Sequence, residues 1–134
     1  DVLLNITGAS VARCCIVPEE YLPARVNQHV SIIRLQPEAM KSRFLHYSLI
    51  SNDNKDLLLG IGEQGSTRQA ITKAQVENFY INYPEDIYEQ LNMVNQLDDL
   101  KAQTQSLESN YQQELSALDE LKKSILQKAF NGEL

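Results

Sequence analysis

The chain has 134 residues, room for one small domain with an extension, and its 43% hydrophobic content is ordinary for a globular protein. No apolar run approaches the ~20 residues of a membrane-spanning helix, and no basic segment leads into an apolar stretch as in a signal peptide. The net charge of −6 lies wholly in the C-terminal part: residues 1–84 hold eight Lys/Arg and eight Asp/Glu, residues 85–134 four and ten.

The chain opens on Asp1 rather than Met, so it reads as a processed or excised piece. Residues 2–6 are strand-like, Gly8-Ala9-Ser10 is a turn, and residues 11–17 form a second β-rich run stopped by Pro18. This is the pattern of a hairpin. Residues 26–35 predict a third strand, broken in polarity by Asn27-Gln28-His29. From Pro37 to Ser51 the period changes: Met40, Phe44 and Ser48 share a face with Leu45 and Leu49 beside it, as in an amphipathic helix. Residues 56–61 either continue that helix or start another element. Residues 60–69 read as a loop, and Thr72-Lys73-Ala74-Gln75 as a capping box opening a short helix to Phe79. A short strand over 79–83 then reaches Pro84. With a strand at its very start, this head looks like part of a sheet whose beginning is missing.

After Pro84 there is no proline, and no glycine until Gly132. Met93, Leu97, Leu100, Leu107, Tyr111, Leu118, Leu121 and Ile125 recur at alternating steps of three and four, which keeps one narrow stripe on one side of a helix. At ~1.5 Å per residue such a helix spans roughly 65 Å, far more than a small domain's core can cover. The stripe therefore calls for a second long helix. Thr104 and Glu114 fall on stripe positions and would help set its register. The fold expected is α+β: a small mixed β-sheet/helix head over 1–84, then one long helix over 85–134 forming an antiparallel coiled coil.

Chemistry-bearing residues are few. Cys14 and Cys15 are the only cysteines and sit in an apolar run, so they give neither a disulfide framework nor a metal site and suit a reducing cytoplasm. His29 and His46 lack partners at metal-ligand spacing, and no nucleophile–base–carboxylate set can be argued; no catalytic centre, metal or cofactor is expected. Asn5-Ile6-Thr7 matches a glycosylation sequon, which carries little without a secretory signal. Gly60-Ile61-Gly62-Glu63-Gln64-Gly65 matches G-x-G-x-x-G literally, but the residues after it open no helix, and a dinucleotide or methyl-donor loop is the minor reading beside a plain glycine loop.

Five of the eight basic residues in the head are arginines, Arg13, Arg25, Arg34, Arg43 and Arg68, whereas every basic residue of the arm is lysine. Arginine suits phosphates and base edges; lysine on a helix is mostly solvation. Ser66, Thr67, Arg68, Gln69 and Lys73 bring hydroxyls, a guanidinium, an amide and an ammonium next to glycines that permit close approach. A surface loop with a helix cap is an equal reading of the same residues. Asn27, Gln28 and Arg13 are supporting candidates for a base-reading edge; for Asn27, Gln28 and His29 an internal hydrogen-bond network is the blander alternative.

Two segments together resemble a known family. Gly65-Ser66-Thr67-Arg68-Gln69-Ala70-Ile71-Thr72-Lys73, running on to Ile81-Asn82-Tyr83-Pro84, is similar to the end of a target recognition domain. Residues 117–134, from Ala117-Leu118-Asp119-Glu120-Leu121 to Phe130-Asn131-Gly132-Glu133-Leu134, are similar to the conserved helix that follows it in the DNA specificity subunit of type I restriction–modification enzymes. Residues 1–8 and 26–30 match that family too, so the resemblance covers nearly the whole chain. It implies a non-catalytic, cytoplasmic subunit in which two recognition domains, separated by paired antiparallel helices, each read half of a bipartite site on double-stranded DNA. It further implies docking to the methyltransferase subunit, and through it to the endonuclease subunit. The piece here would hold one recognition domain without its N-terminal half, and one helix, whose free stripe would make it a homodimer. Lys122, Lys123, Lys128, Phe130 and Leu134 at the helix end would form the docking surface. The alternatives are a coiled-coil adaptor whose head binds another protein and, more distantly, an enzyme using the glycine loop for a methyl donor.

Overall fold

A computed structural model of the chain describes residues 1–63 and 69–133. They fall into two compact units, Asp1–Val94 and Asn95–Leu134.

In the first unit three antiparallel strands, β1 (Val2–Asn5), β2 (Cys14–Ile16) and β3 (Val30–Ile33), form one sheet in the order β2-β1-β3. β1 has strict alternation. Val2 and Leu4, 0% and 1% exposed, point into the core, which leaves Leu3 and Asn5 on the other face. The register sets Leu3 opposite both Cys15 and Ile32, so that outer face carries an apolar row across all three strands. The hairpin expected from sequence is present, with a difference. Ala12 N–H donates to Asn5 O (2.9 Å) while Asn5 N–H donates to Arg13 O (2.8 Å). Two residues thus oppose one, a β-bulge, and Ala12 takes its left-handed position at φ +65. The bulge delays β2 to Cys14, where the sequence predicts a strand from residue 11.

The third strand is also shorter than the predicted 26–35. Asn27 Oδ1 accepts the His29 N–H at 3.0 Å, and this local bond holds residues 27–29 in a turn instead of a ladder.

Helix α1 (Ser42–Ile50) buries Phe44, Leu45 and Leu49, as its period predicts. The open question after it is settled by Ser51. Ser51 Oγ donates to Ser48 O (2.7 Å), Asn54 Nδ2 donates to the same oxygen (2.9 Å), and Ser51 turns extended, so α2 (Asn52–Glu63) is a separate helix. It runs through Gly60 and Gly62, which corrects the loop predicted from residue 60. Leu58 anchors α2 in the core at 1% exposed. Gly62 lets it approach closely: a Cβ there would already touch Ile71 Cγ1 at 3.6 Å and Val11 Cγ2 at 3.7 Å. Helix α3 (Lys73–Glu77) opens on the predicted capping box, with Gln75 N–H on Thr72 Oγ1 (3.3 Å) and Thr72 N–H on Gln75 Oε1 (2.8 Å). Residues 79–83 are not the expected strand; Phe79 and Ile81 are held by packing on the core and have no ladder partner.

Helix α4 (Ile87–Asn131) is 45 residues long. Asp86 starts it, its Oδ1 accepting Tyr88 N–H at 2.9 Å. Gly132, at φ +73, ends it: Glu133 N–H reaches back to Lys128 O (2.9 Å) and Gly132 N–H to Ala129 O (3.2 Å). Its first turns belong to the Asp1–Val94 unit. Gln90 is fully buried there, its Nε2 donating to Ala39 O (3.1 Å) and Pro84 O (2.8 Å) and its Oε1 accepting Lys41 N–H (3.0 Å). One amide thereby satisfies three backbone groups just before α1 and α4.

Candidate nucleic-acid interface

Beyond the last ladder pair of β1 the chain continues as Ile6, Thr7 and Gly8, and two other segments are tied to it. Ile6 N–H donates to His29 O (2.9 Å), and the Thr7 hydroxyl shares a hydrogen bond with His29 Nδ1. Thr7 pairs with Ala70 in an isolated antiparallel bridge, Gly8 N–H donates to Gln69 O (3.0 Å), and Ile71 N–H donates to Ile6 O (2.8 Å). The 27–29 turn and the segment from Gln69 onward, far apart in sequence, therefore meet at one end of the sheet. An open depression there is lined by Asn5, Thr7, Ser10, Asn27 and His29 among others. Asn5 orders its own corner, its Oδ1 accepting Thr7 N–H at 3.2 Å.

The predicted DNA-contacting residues fare differently. Arg13 leaves the sheet just after the bulge, on the outer face, beside Leu3, Asn5 and Val30. The bulge does the aiming. Asn27 and Gln28 stand in the exposed turn, with Asn27 Oδ1 committed to the turn itself and Gln28 Nε2 at 3.4 Å from His29 Nε2. Gln69 Nε2 donates to Glu63 Oε1 (3.1 Å), and Ala70 N–H to Gly62 O (3.1 Å), so the residues on either side of 64–68 are joined. Ser66, Thr67 and Arg68 themselves lie outside the described residues. Lys73 makes an exposed i,i+4 pair with Glu77 at 3.5 Å, a contact worth only a few tenths of a kcal/mol. Of the other head arginines, Arg34 forks onto Asp1 with Nε–Oδ1 at 2.8 Å and Nη2–Oδ2 at 2.6 Å, tying β3's end to β1's start.

Asn5 and Thr7 are the residues that the sequence alone passed over as site members, and His29 figures there only within its polar cluster. Asn5 and Thr7 read only as a sequon, and His29 as a member of the Asn27-Gln28-His29 cluster, for which the internal hydrogen-bond network is what the structure shows. The available signal was topological: a polar hairpin corner next to a polar pre-strand turn.

Among the described residues no three His, Cys, Asp or Glu gather as metal ligands. Burial, and Cys15 beside it, push the Cys14 thiol up to about 11, so it stays protonated at neutral pH and is a poor nucleophile. Gly60 and Gly62 are helical, which removes the first half of the G-x-G-x-x-G match from a phosphate-cradling turn.

In the second unit the apolar stripe lies open. Met93 and Leu97 at the junction, then Leu100, Leu107, Tyr111, Leu118, Leu121 and Ile125, are 41 to 61% exposed. Thr104 leaves no unmet hydroxyl on that stripe, since its Oγ1 donates to Leu100 O at 2.8 Å. Phe130, near the helix end, is 89% exposed. No described helix is long and apolar enough to cross a membrane.

Residues 1–117 match the family model described as the type I restriction modification DNA specificity domain. The type I restriction enzyme EcoBI specificity subunit of Escherichia coli is 31% identical over an alignment covering all of this chain and 27% of that protein. The chain thus spans about a quarter of the curated relative it matches. No solved structure matches it significantly. With the family model covering most of its length, the chain belongs to the type I restriction modification DNA specificity domain family.

Proposed function

We propose that this chain is a sequence-reading module of a type I restriction–modification specificity subunit, non-catalytic and cytoplasmic. Its head contacts double-stranded DNA through the sheet end at Thr7, and its helix carries pairing and docking. The observation that carries this reading is the convergence of two donor-rich segments, 27–29 and 69–73, on Thr7 and Gly8. Phosphate contacts from Ser66, Thr67 and Lys73 would position the duplex, while Arg68, Gln69 and Gln28 would offer forks that match guanine and adenine edges, with Asn27 shaping the turn that carries Gln28 and Arg13 flanking them. Each such head would read one half of a bipartite site. The open stripe of α4 would pair antiparallel with a second long helix, in the full subunit or in a second copy of this chain. The end of α4, with Lys122, Lys123, Lys128 and Phe130, would dock the methyltransferase subunit and through it the endonuclease subunit.

Arg68→Ala and Lys73→Ala in the full-length protein separate base reading from phosphate holding. A bidentate arginine–guanine contact is worth ~1–3 kcal/mol of discrimination, so Arg68→Ala should cost that much on the preferred duplex and little on a scrambled one. Lys73→Ala should weaken both alike and lower the slope of log affinity against log salt by about one. Equal loss on both duplexes for Arg68→Ala, with a depressed melting temperature, would make Arg68 structural. A second reading, a coiled-coil adaptor whose head binds protein, is favoured by an apolar cavity of about 320 Å³ lined by Leu35, Met40, Phe79 and Tyr80 among others. Binding to DNA that does not fall with salt would select that reading.

A further inference from the structure

We propose that His29 is a positioning residue for sequence discrimination: it locks the Gln28 turn to Thr7, and through Thr7 to the segment at Gln69. The inference rests on the sheet end being the DNA-facing surface. His29 is held on both its backbone and its ring. Its N–H is taken by Asn27 Oδ1 (3.0 Å) and its carbonyl by Ile6 N–H (2.9 Å). Its Nδ1 is bonded to the Thr7 hydroxyl, and its Nε2 lies 3.4 Å from Gln28 Nε2. A hydroxyl can donate to a ring nitrogen or accept from a ring N–H, so the Thr7–His29 contact forms with either ring tautomer. Thr7 in turn is bridged to Ala70, and Gly8 N–H holds Gln69 O at 3.0 Å. Gln28 and Gln69, the two amides suited to adenine edges, are thereby set at a fixed spacing by the Ile6–His29 backbone bond together with one side-chain contact between a histidine and a threonine.

This assigns different work to neighbours of the same type. Asn27, its carbonyl oxygen used within the turn, shapes the backbone. Gln28 reads. His29 and Thr7 hold the reader in register, and a hydrogen bond of this kind is worth about fivefold.

The test uses the full-length protein and a pool of randomised duplexes. Wild-type protein selects a preferred sequence, and each variant is titrated against that duplex and a scrambled one, beside a thermal melt. Thr7→Val keeps the shape and removes the hydroxyl. His29→Asn keeps an amide N–H near the Nδ1 position, whereas His29→Gln places its amide near Nε2 and cannot reach Thr7. Thr7→Val and His29→Gln should each lower the preference about fivefold, with scrambled-duplex affinity unchanged and the melting temperature down by only a few degrees, and His29→Asn should keep it within about twofold. Full preference in Thr7→Val and His29→Gln overturns the assignment. So does an equal loss on both duplexes, which marks a merely structural pair. If Thr7→Val keeps the preference while His29→Asn loses it, the ring itself touches DNA and the positioning role fails. A wild-type protein that selects no sequence defeats the DNA reading underneath, and the assignment with it.

Discussion

The Asp1–Val94 and Asn95–Leu134 units use apolar residues in opposite ways. In the first, Val2, Leu4, Leu49 and Leu58 are turned inward and nearly sealed. In the second, no described apolar side chain is buried, though leucines recur at fixed intervals along it. The first unit's sequence therefore specifies a surface of its own to pack against. The second unit's sequence specifies a helix and leaves its packing to another surface. Helical hydrogen bonds alone make an isolated helix marginal in water, so the second pattern is a specification for a partner as much as for a fold.

That contrast breaks most visibly if the stripe is spoiled. Leu107→Asp with Leu118→Asp should abolish association at micromolar concentration, since each buried leucine replaced by a charge costs several kcal/mol. Light scattering should show the wild type near twice the monomer mass and the double variant at monomer mass, with helicity lost and the head's melt unchanged. A wild-type monomer of full helicity would end the pairing idea. An antiparallel register that faces Leu97 with Leu121 and Leu100 with Leu118 also faces Thr104 with Glu114. Glu114→Leu should then tighten the pair about tenfold or more and loosen its register.

The next largest effect tests whether the first unit is self-sufficient. Gln90→Leu would leave Lys41 N–H, Ala39 O and Pro84 O without their shared partner, and should lower the head's stability by about 2–4 kcal/mol. Thermal melting followed by near-UV signals from the head reads this directly. An unchanged melt would mean that water replaces the amide, and that the start of α4 is not integral to the head.

Gln90 also shows what sequence could and could not disclose. Hydrophobic period exposed α1, the long helix and its stripe, because those depend on spacing alone. Turn chemistry exposed the capping box at Thr72 and the stop at Gly132. A buried glutamine next to an apolar stripe looks like any solvated helix residue; its role exists only once Ala39, Lys41 and Pro84 are brought around it. The candidate site divides the same way. Residue type nominated Arg13, Gln28 and Gln69 and set His29 in the same polar cluster, whereas Thr7 acquires a role only from the bridge that joins distant segments. Residues 79–83 misled because β-prone side chains buried on one side read as a strand whether or not a ladder partner exists.

The smallest effect concerns the glycines, where sequence and structure disagree most sharply. As a ligand-cradling loop, the run from residue 60 would need Gly60 for close backbone approach, and an alanine there would abolish binding. As part of α2, Gly60 is a helical residue with nothing within 4 Å of an added Cβ. Gly60→Ala should then raise stability by about 0.5–1 kcal/mol, the ordinary difference between the two residues inside a helix, and leave DNA affinity alone. A melt and a duplex titration decide it together. Lower stability would mean that residue 60 is not helical in solution. Lost binding at unchanged stability would return the segment to the ligand-loop reading, and would move the head's chemistry from the sheet end at Thr7 to the end of α2.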